Sequence, residues 1–161
     1  MSQLINKTTL SLILIFSFIA LIAAYFIQYI LGHKPCNLCL IERLPYIASA
    51  ILALLSLILK KFEKIIFILL ALIFISATII SFYHLGIEQG FFQESLVCNS
   101  DNEINNLNKE DLLKKLQKRT ISCKDVDFRL FGLSLATINT IISFILSVIT
   151  IKLFLSYEKN K

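Results

Sequence analysis

Four uninterrupted apolar runs, each close to the length of a bilayer crossing, leave few folds open to this chain. They lie at about 9–31, 40–59, 65–85 and 130–155. About 20 predominantly apolar residues in a helix cover the hydrocarbon core of a membrane. The first run, Thr9 to Leu31, holds no Asp, Glu, Lys or Arg. The second carries Glu42 and Arg43 at its start, and the fourth carries Lys152 near its end. The runs are continuous and do not alternate with polar residues, which argues against a membrane barrel. With 57% hydrophobic residues and a mean hydropathy of +0.77, the chain cannot cover itself with the polar surface a soluble domain needs. The expected fold is an all-α membrane protein, a four-helix transmembrane bundle forming one domain over residues 1–161. The first run is too long for a signal-peptide core and lacks a small-x-small cleavage site, so it is read as a helix of the mature protein.

The connections are short except one. Lys60 to Lys64 joins the second and third helices, and Gly32 to Pro35 leads into the second. A long loop, about 86–129, separates the third and fourth helices and is rich in Asn, Asp, Glu and Lys. Within it Leu107, Leu112, Leu113 and Leu116 interleave with Lys109, Lys114 and Lys115 at roughly helical spacing. This is either an amphipathic helix on the membrane surface or a solvated loop helix with a small core of its own. The net charge of +5 does not point to nucleic acid, because the basic residues flank apolar runs or mix with acids and no aromatic-interleaved basic tract occurs.

Four cysteines, Cys36, Cys39, Cys98 and Cys123, sit at the ends of apolar runs or in the long loop. All four fall on one side of the expected membrane. Lys7, the cluster Lys60, Lys61 and Lys64, and the tail residues Lys159 and Lys161 fall on the other, which the positive-inside rule makes the cytoplasm. The loop is itself basic (Lys118, Arg119, Lys124 and Arg129 add to the lysines above), so charge alone nearly balances. Paired cysteines persist in oxidising compartments, which places the loop in a periplasm and both termini in the cytoplasm. Two thiol pairs on one face of a membrane suggest electrons passing between disulfides.

Pro35-Cys36-Asn37-Leu38-Cys39 opens the second helix. Proline suits the first helical position, so the helix is predicted to start at Pro35. Cys36, Cys39 and Arg43 then share one face. A helix N-terminus and a nearby cation both favour the thiolate, the attacking species in disulfide exchange. Pro45 marks an alternative start or a kink. Half of a zinc site, with Cys98 and Cys123 supplying the other half, is a competing reading, disfavoured by the wide second spacing. Haem attachment would need His after the second cysteine, where Leu40 stands. A static framework of structural disulfides in a non-enzymatic membrane protein is a further alternative, and four cysteines admit three pairings.

These residues resemble the disulfide bond formation protein B (DsbB) family over most of the chain. The resemblance rests on Pro35-Cys36-x-x-Cys39-x-x-Glu42-Arg43 and on Tyr83-His84-x-Gly86-x-Glu88-x-Gly90. It also rests on the loop pair Cys98 and Cys123, and on Phe131-Gly132-Leu133. It implies a quinone-reducing protein-disulfide oxidoreductase of the bacterial inner membrane, which reoxidises a periplasmic thioredoxin-fold dithiol oxidase (DsbA-like) and passes electrons to ubiquinone or menaquinone. Carried onto this chain, the resemblance gives Cys98 the mixed disulfide with the partner. Cys123 is released to form a transient bridge with Cys36, and Cys39 becomes the thiolate facing the quinone, with Arg43 near a ring carbonyl.

Other residues have simpler readings. His84, at the end of the third helix, either assists proton delivery to the quinone site or, as preferred, bonds a carbonyl or loop residue. Glu42 is read as mostly structural, and Glu88 as fixing loop geometry or pairing with a base. Tyr83, Phe91 and Phe92 are expected as interfacial aromatics. Ser134, Thr137, Thr140, Ser143 and Ser147 make a polar packing stripe on the fourth helix, with Asn139 bonding across the bundle.

Overall fold

The computed structural model describes residues 2–58, 63–94, 98, 122–124, 128–130 and 132–159, with side chains described from Lys7 to Ser156 apart from Glu63. Five helices and one small hairpin make up the described chain: α1 (Ser2–Tyr29), α2 (Asn37–Ile41), α3 (Leu44–Ile58), α4 (Glu63–Glu88), β1 (Arg129–Leu130), β2 (Leu133–Ser134) and α5 (Leu135–Lys159). Four helical segments are long and apolar enough to cross a membrane: Lys7–Tyr29, Asn37–Ile58 (α2 with α3), Lys64–Glu88 and Leu135–Ser156. The four-helix transmembrane bundle is therefore present. α4 packs along α5, α1 along α3, and α3 along α4.

The helix interiors and exteriors differ as a lipid-embedded protein requires. Ile22, Ile58, Ile79 and Phe144 point outward and are more than half exposed. In water such an apolar surface would aggregate; in a bilayer it is solvated. The core between the helices holds Leu10, Ile13, Ala53, Phe67, Leu70, Phe74 and Leu146. Small and hydroxylated residues let the backbones approach, as is usual where lipid removes the hydrophobic drive between helices. Ser17 on α1 and Ser49 on α3, both fully buried, meet at 2.9 Å. Each also bonds a carbonyl of its own helix, Ile13 O and Tyr46 O respectively. Along β2 and α5 the expected stripe divides. Ser134, Ser143 and Ser147 are buried, whereas Thr137 and Thr140 are half-buried.

Two boundaries differ from the sequence reading. The second span is not one helix from Pro35. Cys36 is extended (φ −72°, ψ 169°) and caps a helix that begins at Asn37. That helix stops at Ile41, and α3 restarts at Leu44. Pro45 explains the break, since it has no N–H to bond Ile41 O and its ring crowds that carbonyl. The chain bridges the gap with a tighter bond from Arg43 N–H to Leu40 O, 3.2 Å, before Ile47 N–H resumes the ladder on Arg43 O. The fourth span begins at Leu135, not near 130, because Arg129–Leu130 and Leu133–Ser134 form an antiparallel hairpin in which Arg129 pairs with Ser134. Gly132 turns that hairpin at φ +83°, a conformation most L residues avoid.

The leucine–lysine stretch from Leu107 to Lys118, Arg119, Lys60, Lys61, Phe131 and Lys161 lie outside the described residues. So does most of the expected loop.

Candidate active site

The mouth of the bundle gathers three of the expected groups within one reach. Cys36 Sγ, Cys39 Sγ and His84 Nε2 all lie within 4.8 Å of one another. Cys36 accepts a hydrogen bond from the Cys39 backbone N–H at 3.2 Å, so the sulfur takes the N-cap role usually filled by an oxygen. His84 Nε2 stands 3.5 Å from the same sulfur. Cys36 and His84 are buried, while Cys39 is half-buried. Cys36 and Cys39 are free thiols. Hydrogen bonds from the Cys39 thiol and backbone N–H hold the Cys36 thiol below its ordinary pKa, against the opposing effects of burial and of the Glu42 and Glu88 charges.

The loop pair is bonded to itself. Cys98 and Cys123 form a disulfide, with Cα atoms 5.5 Å apart. Both are buried, and with Cys36, Leu38 and Ile87 they form one apolar cluster against which Cys39 and Tyr83 pack. The second cysteine pair therefore lies directly over the helix mouth. Glu94 holds it there, accepting from Ser122 Oγ and from the Lys124 backbone N–H. A zinc site built from all four sulfurs is not what this arrangement forms, because two of the sulfurs are already bonded to each other.

Behind the thiols runs a buried polar chain that sequence reasoning largely missed. His84 Nδ1 lies 2.8 Å from Glu42 Oε1. With Glu42 ionised, Nδ1 carries the hydrogen and Nε2 faces the sulfur. The other carboxylate oxygen, Oε2, accepts from Asn139 Nδ2 at 2.9 Å. Asn139 Nδ2 also donates to Ser81 Oγ at 2.7 Å, and Asn139 Oδ1 accepts from Tyr46 OH at 2.5 Å. Asn139 does bond across the bundle, as expected. His84, however, bonds a carboxylate and a sulfur, not a carbonyl or loop residue, and Glu42 is a central member of the site. The available signal was that ionisable residues within membrane spans are rarely idle.

Arg43 is held by α1. It lies in the break between α2 and α3. Its Nη1 donates to Gln28 Oε1 at 2.6 Å, and its guanidinium lies 4.9 Å from the centre of the Tyr25 ring, both on α1. Arg43 nevertheless lines the same cavity as Cys39, His84 and Cys123, a space of about 230 Å³ whose remaining wall is largely apolar side chains of α1 and α5.

The α4 terminus completes the setting. Gly90 (φ +78°) ends the helix, and Phe91 N–H turns back to Gly86 O at 2.8 Å. A side chain at Gly86 would run into the Phe92 ring, which stacks on Tyr83 with centroids 5.6 Å apart. The glycines of the Tyr83–Gly90 motif thus fold the outgoing chain back over the helix end.

A family model described as disulfide bond formation protein DsbB matches residues 6–153. The chain belongs to the DsbB family. It is also 33% identical over 154 residues to an uncharacterized protein, RP370, of Rickettsia prowazekii (strain Madrid E), an alignment covering 94% of this chain and 89% of that protein. As a DsbB family member with four membrane-crossing helices, it is a multi-pass membrane protein of disulfide bond formation.

Proposed function

We propose that the protein oxidises a soluble DsbA-like dithiol carrier in the periplasm and delivers the electrons to membrane quinone. The carrying observation is the packing of the Cys98–Cys123 disulfide against Cys36 in one buried cluster. A static framework would have no need to stack a bonded pair on a free dithiol, whereas a relay requires that adjacency. One partner thiolate attacks Cys98, forming a mixed disulfide and releasing Cys123. The second partner thiol resolves it, leaving the partner oxidised and Cys98 reduced. Cys123 attacks Cys36 of an oxidised helix-mouth pair, and Cys39 leaves as thiolate. In the dithiol form described above the negative charge is favoured on Cys36; once Cys36 is bonded to Cys123, it falls to Cys39.

The cavity beside Cys39 suits a planar lipophilic acceptor, having apolar walls and the donors Arg43 and Gln28 at one edge. A bound quinone would supply a two-electron, two-proton sink. Arg43 and Cys39 would hold it, and His84, backed by Glu42, is placed to hold a proton at Nε2. Lys7 and Lys64 lie at the starts of α1 and α4, remote from the cysteines at the end of α4, which supports cytoplasmic termini and periplasmic cysteines in a bacterial inner membrane.

Purified protein supplied with a reduced thioredoxin-fold dithiol and a soluble ubiquinone or menaquinone analogue should bleach the quinone absorbance. Cys39→Ala and Cys98→Ser should each abolish this. Sustained partner oxidation by Cys98→Ser would overturn the donor assignment.

A further inference from the structure

We propose that the reduced helix mouth is a binding site for one thiophilic divalent cation, of the Zn²⁺ type, held by Cys36, Cys39, His84 and Glu88. The site goes beyond the relay and needs neither quinone nor partner. Cys, His and Glu are all zinc ligands. In a tetrahedral site with bonds of ~2.3 Å to sulfur and ~2.0 Å to nitrogen, the S···N edge is about 3.5 Å. Cys36 Sγ and His84 Nε2 are already 3.5 Å apart. Cys39 Sγ is within 4.8 Å of both, so closing it onto the ion requires a shift of no more than about 1 Å, given the tetrahedral S···S edge of ~3.8 Å.

Two further observations point to a cation. Glu88, one turn beyond His84, places Oε1 3.8 Å from Nε2, and its side chain is only 7% exposed. Its other oxygen, Oε2, is buried and has no hydrogen-bond partner among the described residues. A buried carboxylate oxygen without a donor is costly, and it lines the same cavity as the two thiols. His84 Nδ1, meanwhile, is tied to Glu42 at 2.8 Å, the carboxylate–imidazole arrangement that orients a ligating histidine and raises its basicity. Binding would displace the two thiol protons and move no electrons. It requires both sulfurs reduced, so the ion would select and hold the dithiol form.

The test uses a Cys98→Ser/Cys123→Ser variant, in which the helix-mouth pair supplies the only sulfhydryls. After reduction in detergent micelles, Zn²⁺ alone is titrated against a chromophoric chelator, and Co²⁺ alone is followed by absorption. The expected result is one ion per chain, with tetrahedral Co²⁺ bands and thiolate-to-metal charge transfer, both lost when the pair is oxidised. Glu42→Gln, which weakens the carboxylate behind His84, should lower affinity about 10–100-fold. Glu88→Gln, close in shape to the native side chain, should lower it at least as much and shift the Co²⁺ spectrum. Absence of binding, binding that survives oxidation, or unchanged affinity and spectrum in Glu88→Gln would each overturn the proposal. Quinone reduction is assayed separately, so either reading can fail alone.

Discussion

Replacing Asn139 tests whether the buried polar chain is a connected unit. Asn139 makes three hydrogen bonds from one amide: to Glu42 Oε2, to Ser81 Oγ and from Tyr46 OH. Interhelical hydrogen bonds in membranes average ~0.6 kcal/mol by double-mutant cycles, so Asn139→Ala should lose about 2 kcal/mol from bonding alone. A buried polar group left without a partner adds about 1–3 kcal/mol. Tyr46 retains Ser143, 3.4 Å away, and Glu42 retains His84, so the addition belongs at the lower end of that range. A total near 3 kcal/mol is expected. The assay is reversible unfolding in mixed micelles, with Tyr46→Phe and the double variant completing a cycle. Coupling between Tyr46 and Asn139 should be about 0.6 kcal/mol and no more than ~1.7 kcal/mol. A coupling indistinguishable from zero, or a loss below ~0.5 kcal/mol for Asn139→Ala, would refute the network as drawn.

Other expectations follow from single contacts. Because the hydrogen bond from Cys39 lowers the Cys36 pKa, Cys36 should keep its thiolate reactivity to a lower pH than an ordinary thiol does and lose it as pH falls further. In Cys39→Ala its alkylation profile should move upward in pH, as read by mass spectrometry; an unmoved profile would contradict the assigned cause. Gly86→Ala should destabilise by about 1–3 kcal/mol through overpacking, and Phe92→Ala in the same chain should recover most of it, both measured as unfolding midpoints. Gly132→Ala should cost about 1–2 kcal/mol for its left-handed backbone, while Gly132→Asn should cost less. Arg43→Ala should raise the KM for a quinone analogue while leaving Cys98–Cys123 exchange with a reduced partner nearly unchanged; equal losses would point to a folding role through Gln28 and Tyr25.

The bundle was legible because hydrocarbon thickness dictates run length, and four such runs can do little else. The cysteines were legible as a group because thiols cost little to notice and their positions at run ends were distinctive. The break at Glu42–Arg43 was half visible: Pro45 signalled it, but whether the proline starts a helix or splits one depends on which carbonyls find donors. The contacts of Arg43 with Gln28 and Tyr25 were not visible, because they join that break to α1 across 15 and 18 positions of sequence. The partnership of Glu42 with His84 and Asn139 was not legible, since it joins the break between α2 and α3 to α4 and α5 across 42 and 97 positions of sequence. Nothing in local spacing encodes such distances; only the packing of the α2–α3 break against α4 and α5 does.

The loop disulfide has a consequence for selectivity. Cys98 and Cys123 are 3% and 2% exposed, so a small thiol diffusing past finds almost no sulfur surface to strike. Whatever reduces this bond must reach sulfurs packed in one cluster with Leu38 and Ile87. Concealment would thus act as a gate, admitting a reductant by its capacity to dock before its chemistry is consulted.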